Sequence, residues 1–138
     1  MSLDNIVAIN SSVMQSIHGT IGKCNLESGG IIGSLDGRNI TAYVFDHESS
    51  KGEYVPDVQK LNHVISDWRK RRISFMGIVH SHKTRETLSY ADVLYARKVL
   101  TWNRMETILF PLYISDLKDL LVYMVTSSEV VIRKYTIT

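Results

Sequence analysis

The sequence predicts an α/β fold of the α+β type: a single mixed β-sheet flanked by helices, in one domain spanning residues 1–138. Three observations lead there. Runs of β-forming residues alternate with segments whose apolar residues recur at helical spacing. Three β-rich runs close the chain with no helical segment between them, so the sheet must contain antiparallel as well as crossover connections. Finally, 138 residues with 44% hydrophobic and 22% charged side chains match one ordinary globular domain rather than a disordered chain.

Taken in order, Ile6-Val7-Ala8-Ile9 is a short β-type run. Asn10, Ser11 and Ser12 offer N-cap side chains, and Val13, Ile17 and Ile21 follow at helical spacing, which predicts a helix over about residues 11–22. Gly29-Gly30-Ile31-Ile32-Gly33 is a compact apolar run bounded by glycines and reads as a buried strand. Asp36-Gly37 is a turn signal, so residues 39–45 form the returning strand, and the polar stretch 47–55 is a loop. Pro56 opens a helix carrying Val58, Leu61, Ile65 and Trp68, closed by the cations Arg69 to Arg72. Residues 73–82 read as a strand leaving the core, and Ser89 starts a helix of about residues 89–101. Residues 107–114, 120–126 and 130–137 are the three closing strands.

Composition excludes several classes. One cysteine, Cys24, rules out a disulfide scaffold and points to a reducing, cytoplasmic setting. No apolar run approaches the ~20 residues that a membrane helix needs, and Met1-Ser2-Leu3-Asp4 lacks a basic segment followed by an apolar one, so neither membrane attachment nor a signal peptide is expected. The formal charge of +2 lacks the basic excess of a generic nucleic-acid binder. Arg69-Lys70-Arg71-Arg72 beside Trp68 is the one stretch that could bind nucleic acid, and its plainer reading is a solvated helix end. No nucleic-acid partner is expected.

The chemistry is concentrated in Gly77-Ile78-Val79-His80-Ser81-His82, followed after loop 83–88 by Ser89-Tyr90-Ala91-Asp92. Residues i and i+2 of a strand share a face, so His80 and His82 can aim two imidazoles at one point. Asp92, in the first turn of the next helix, can bring a carboxylate to the same point. Two histidines and a carboxylate with an open fourth position form a known catalytic zinc arrangement. Each part also has a structural reading: His-x-His occurs by chance, and Ser89-x-x-Asp92 is close to a capping box. A metal hydrolase needs a base as well. Glu27, just before the glycine-rich strand, is the candidate, and it could equally be a solvated turn residue.

Glu27-Ser28-Gly29-Gly30-Ile31-Ile32-Gly33, then Gly77-Ile78-Val79-His80-Ser81-His82, then Ser89-Tyr90-Ala91-Asp92, resembles the JAB/MPN metallopeptidases with the JAMM motif. The order of elements fits nearly the whole chain. The resemblance implies a JAB/MPN, cytidine deaminase-like architecture of the compact prokaryotic type. It implies one zinc per chain held by His80, His82 and Asp92, with Glu27 as general base and Ser89 as a donor to the oxyanion. It also implies hydrolysis of peptide or isopeptide bonds, the substrate being the C-terminal tail of a ubiquitin-like or sulfur-carrier protein. Lys83 stands where many members carry proline, so loop 83–88, with Arg85 and Glu86, is expected to shape the groove differently.

Two other readings compete. A non-catalytic MPN-type scaffold for protein interaction would need no metal, yet every ligand position is kept. A cupin-type site would use His80, His82 and Glu86, but requires a later histidine that the chain lacks. Among the remaining residues, Cys24 could approach the metal or be a small buried side chain. His18 and His63 fall inside helical patterns, His47 in a polar loop, and Trp102, Tyr113 and Tyr123 are expected in the core or at an interface.

Overall fold

The computed structural model describes residues 6–138. Residues 1–5, where the sequence shows no leader pattern, lie outside the described residues. The elements are β1 (Ile6–Ile9), α1 (Ser11–Gly19), a 3-10 turn (Ile21–Lys23), β2 (Ser28–Ser34), β3 (Asn39–Ile40), β4 (Ala42–Glu48), α2 (Val58–Lys70), β5 (Ser74–His82), α3 (Tyr90–Trp102), β6 (Ile108–Ile114), β7 (Asp119–Val125) and β8 (Val130–Ile137). The strands lie in one mixed sheet in the order β3-β1-β8-β7-β6-β5-β2-β4. Strands β6, β7 and β8 form an antiparallel meander, β5 runs parallel to β6 with α3 as the crossover, and β2 pairs antiparallel with both β4 and β5.

The returning strand expected over residues 39–45 is two strands. Asn39 and Ile40 pair parallel with Ala8 and Ile9 of β1. Thr41 turns the chain, its N–H held by Gly33 O at 2.9 Å, and β4 then pairs back along β2 and continues to Glu48, into the stretch expected to be loop. The ends of the strand order, β3 and β4, are thus separated by one residue, and the sheet curls until it is nearly closed. The first helix is shorter than its apolar spacing suggests. Asn10 caps it by accepting the Ser12 N–H at 2.8 Å, but Thr20 leaves helical geometry, bonding its hydroxyl to Ser16 O and pairing with the Tyr43 hydroxyl, and Ile21 is carried on the following 3-10 turn. In α2, Asp57 takes the N-cap, accepting the Lys60 N–H at 3.1 Å, so Pro56 sits outside the first turn.

Alternation along the strands builds two cores. Ile31, Ile78, Phe110, Leu112 and Ile114 face α2 and α3, meeting Leu61, Trp68, Ala96, Val99 and Leu100. Their neighbours Ile32, Val79 and Tyr113 face the other way, against Val13, Met14 and Ile17 of α1. Trp68 is 2% exposed and packs so closely on β2 that a Cβ at Gly33 would lie 2.7 Å from its ring. It is therefore not presented for stacking on a base, and the cations that follow it stand at an exposed helix end, Arg71 paired with Asp67 at 3.0 Å. Tyr113 and Tyr123 are core residues as expected. Trp102 lies outside the core, 64% exposed at the last turn of α3 and edge-on to Tyr95.

Candidate metal centre

The histidines sit where β5 ends. His80 and His82 lie on one face and are both buried, while Ser81 points to the opposite face, where its hydroxyl accepts the Ser28 N–H at 3.0 Å. That bond fastens β2 to β5 level with the site. After loop 83–88, the capping box of α3 sets the carboxylate. Ser89 Oγ accepts the Asp92 N–H at 3.0 Å, and Asp92 Oδ2 accepts the Ser89 N–H at 2.9 Å. The cap and the ligand geometry are therefore not rival readings, because the cap is what aims Asp92.

One oxygen of Asp92, Oδ2, lies 3.4 Å from Nε2 of His80 and 3.4 Å from Nε2 of His82. One ligating atom from each of the three residues lies within 4.8 Å of the others. Burial raises the Asp92 pKa, but the contacts with His80 and His82 and the Ser89 N–H outweigh it and hold the carboxyl well below the usual carboxylate range. The His80 approach is not a hydrogen bond, for among the described residues both ring nitrogens of this buried imidazole lack a hydrogen-bond partner. A buried polar group left so is unfavourable unless something binds it. A metal ion shared with His82 and Asp92 would satisfy it, and two imidazole nitrogens and a carboxylate are a donor set such an ion accepts. The group His80, His82 and Asp92 could hold a metal ion.

Loop 83–88 reaches into this centre through Arg85. Its guanidinium donates to His82 Nε2 at 3.2 Å, and its carbonyl lies 3.2 Å from His82 Nδ1. A guanidinium can only donate, so Nε2 is the acceptor and Nδ1 carries the proton that bonds Arg85 O. Arg85 thus favours the tautomer with an unprotonated Nε2, and covers that lone pair. The sequence marks Arg85 only as a charge in a loop.

Glu27 immediately precedes β2. The β2–β5 pairing of Gly29 with His80, carried two residues further, sets Glu27 opposite His82. Its Oε1 accepts the Tyr54 N–H at 3.3 Å. It is not a member of the ligating group. Tyr54 was not foreseen: it lies in the stretch read as polar loop. Its ring lies on Gly29, where any Cβ would collide with it, and its hydroxyl donates at 2.7 Å to Asp46, whose side chain is fully buried and also accepts the Asp57 N–H at 2.9 Å. No pattern in the sequence signals this anchor, because an aspartate near a strand end is ordinarily solvated.

The other candidates are placed elsewhere. Cys24 donates its thiol to Thr20 O and is outside the group. Glu86, which a cupin-type set would require, is also outside it. His18 bonds the Tyr113 hydroxyl at 2.8 Å, and His63 is exposed on α2. His47 lies against two carbonyls, Glu48 O at 3.1 Å and Val55 O at 2.9 Å, and those contacts raise its pKa against partial burial, with Asp46 and Asp57 adding to the rise. A cavity of ≈ 220 Å³ opens beside the triad, with His80, Asp92, Ile78, Tyr95 and Phe110 among its walls. A larger cleft of ≈ 600 Å³, bordered by Asp36, Met76, Met105 and Met124, contains none of the candidate ligands, and the chemistry points to the smaller one.

No family model matches the chain, and no curated protein matches it. Among solved structures, the solution structure of protein DSY2949 from Desulfitobacterium hafniense is similar, with a TM-score of 0.74 over 96% of this chain and 93% of that one, at 15% sequence identity. At that identity the likeness speaks for the fold alone: an α+β architecture with a nearly closed mixed sheet. Among the described residues, no helix is long and apolar enough to cross a membrane.

Proposed function

We propose that this chain is a zinc metallopeptidase of the JAB/MPN type, hydrolysing a peptide or isopeptide bond at the C-terminal tail of a ubiquitin-like or sulfur-carrier protein. The observation that carries the reading is the convergence of His80, His82 and Asp92 on one point, with both ring nitrogens of the buried His80 lacking a hydrogen-bond partner among the described residues. The spacing of these residues and of Glu27 and Ser89 in the JAMM-like pattern supports it.

Bound zinc would supply Lewis-acid polarisation of a carbonyl and acidify water. The chain supplies the rest. Glu27 takes a proton from the attacking water and returns it to the leaving amine. Its Oε1 is held by the Tyr54 N–H, which orients the carboxylate before substrate arrives. Ser89 accepts the Asp92 N–H through its oxygen, which leaves its own O–H to donate to an oxyanion. The capping serine therefore has two roles, one structural and one chemical.

The reading is tested by metal analysis joined to an assay. Protein purified without chelator should carry about one zinc per chain, and should cleave a reporter with a Gly-Gly tail in a manner abolished by chelation and restored by zinc. Protein that takes up no zinc on reconstitution, or that binds zinc and cleaves no tail reporter, would sink the proposal.

A further inference from the structure

The cavity beside the triad has the size and chemistry of a subsite for one side chain. Its volume of ≈ 220 Å³ falls below the range of about 300–1,000 Å³ usual for drug-sized ligands and cofactors. Ile78 and Phe110, each 3% exposed, and the ring of Tyr95 form its apolar walls, and His80 and Asp92 border it toward the candidate metal. Among the described residues no lysine or arginine lines it, while Glu53 and Asp92 do, so its own side chains disfavour an anionic group. Its lips come from different elements. Val55 and Pro56 stand on the loop that Tyr54 anchors, and Ala91 stands in the first turn of α3, one residue before Asp92. An extended chain lying between these lips runs beside His80 and Asp92 and can lower one side chain between them.

We infer that this cavity is a specificity pocket for an apolar side chain, of leucine or phenylalanine size, on the residue that supplies the nitrogen of the scissile amide. The inference rests on the metallopeptidase reading, in which glycine occupies the carbonyl side; the cavity then serves the opposite flank. Contact with Ile78 and Phe110 removes apolar substrate surface from water. An aspartate seated there would lose hydration beside Glu53 and Asp92 without gaining a cationic side chain as partner.

Two measurements on the full chain test this. Isotope-labelled protein is titrated by NMR with the peptides acetyl-Gly-Gly-X-Gly-amide, X being leucine, phenylalanine, glycine, aspartate or lysine. The methyl signals of Ile78 and Ala91 should shift with leucine and phenylalanine and stay still with glycine and aspartate. Zinc-loaded protein is assayed in parallel on reporters of the same sequences, and kcat/KM should be roughly 10- to 200-fold higher for leucine than for glycine. Ala91→Phe, at an exposed helix position, should narrow the cavity, keep the zinc stoichiometry, and bring the leucine-to-glycine ratio close to one. Equal shifts for leucine and glycine, a preference for aspartate or lysine, or discrimination untouched by Ala91→Phe would each overturn the inference. Leucine-specific shifts without cleavage of any reporter would instead overturn the metallopeptidase reading, and the titration would then stand as support for the pocket.

Discussion

The hydroxyl of Tyr54 donates to Asp46 Oδ2 at 2.7 Å, joining the tip of a surface loop to a carboxylate with no exposed side-chain area. Through this bond the loop is set both over Gly29 and against Glu27. Burial, reinforced by the Asp46 contact, pushes the Tyr54 phenol far above its ordinary pKa, so it stays a neutral donor at any working pH. Tyr54→Phe removes the donor and leaves Asp46 short of a partner. The expected loss is about 1–3 kcal/mol of unfolding free energy, measured by denaturant titration, with unchanged zinc stoichiometry. Activity should fall less than in Glu27→Gln. A variant as stable as the parent would show that the bond anchors nothing.

Removing a ligand should remove the metal. His80→Ala and Asp92→Ala are each expected to lose most bound zinc, read by elemental analysis after dialysis. Asp92→Ala also dismantles half of the capping box and should cost helix stability of roughly 1 kcal/mol, which His80→Ala should not. Zinc retained in both variants would place the metal elsewhere.

Glu27 and Ser89 should separate chemistry from binding. Glu27→Gln preserves size and the acceptor for the Tyr54 N–H, so zinc content should hold while kcat falls by a factor on the order of 10² or more. Ser89→Ala should keep zinc and lose on the order of 10²–10³ in kcat if its hydroxyl stabilises the oxyanion. Zinc lost from Glu27→Gln would make Glu27 a ligand and void its role as base.

Arg85 covers the lone pair of His82 that a metal would need. Zinc binding must therefore displace one charge-assisted contact. Arg85→Ala should tighten zinc binding by roughly 2- to 10-fold, the worth of a net hydrogen bond of about 0.5–1.5 kcal/mol, in a competition titration with a chelator of known affinity. Weaker binding would mean that fixing the His82 tautomer matters more than freeing its lone pair.

His47 carries the pH dependence of the loop. Its carbonyl contacts, Glu48 O first, raise its pKa in the folded state. A raised pKa means the protonated form is preferred on folding, so the contribution is fully present below the ordinary value of about 6.5 and is lost as pH rises through the folded value. NMR titration should place the His47 pKa above the ordinary value of about 6.5, and protection of the amides around residues 49–55 should fall over the same interval. A His47 pKa at or below that ordinary value would contradict this.

Much of the architecture was legible because it rests on local patterns. The helical spacing of Leu61, Ile65 and Trp68, the glycine-bounded run before Ser34, and Ser89 three residues ahead of Asp92 are each read within a few positions, where period and capping act. The alternation that puts His80 and His82 on one face is likewise a property of the strand itself. The same local geometry contributes to bringing His80, His82 and Asp92 together as a group that could hold a metal ion.

Other features depend on neighbours distant in sequence. Residues 39–45 look like one strand, yet the curling sheet divides them at Thr41 because β1 captures Asn39 and Ile40. Thr20 ends α1 through contacts that include Tyr43, a residue on another strand. Trp102 is apolar at helical spacing but lies where α3 leaves the core. The sequence by itself determined the element types, the aim of the two histidines and the cap that carries Asp92, all consequences of backbone geometry over a few residues. Only the tertiary structure decided that Asp46 is buried beneath Tyr54, that Arg85 lies on His82, and that an apolar cavity adjoins the triad, because each depends on which segments the folded sheet brings together, and no local period encodes that.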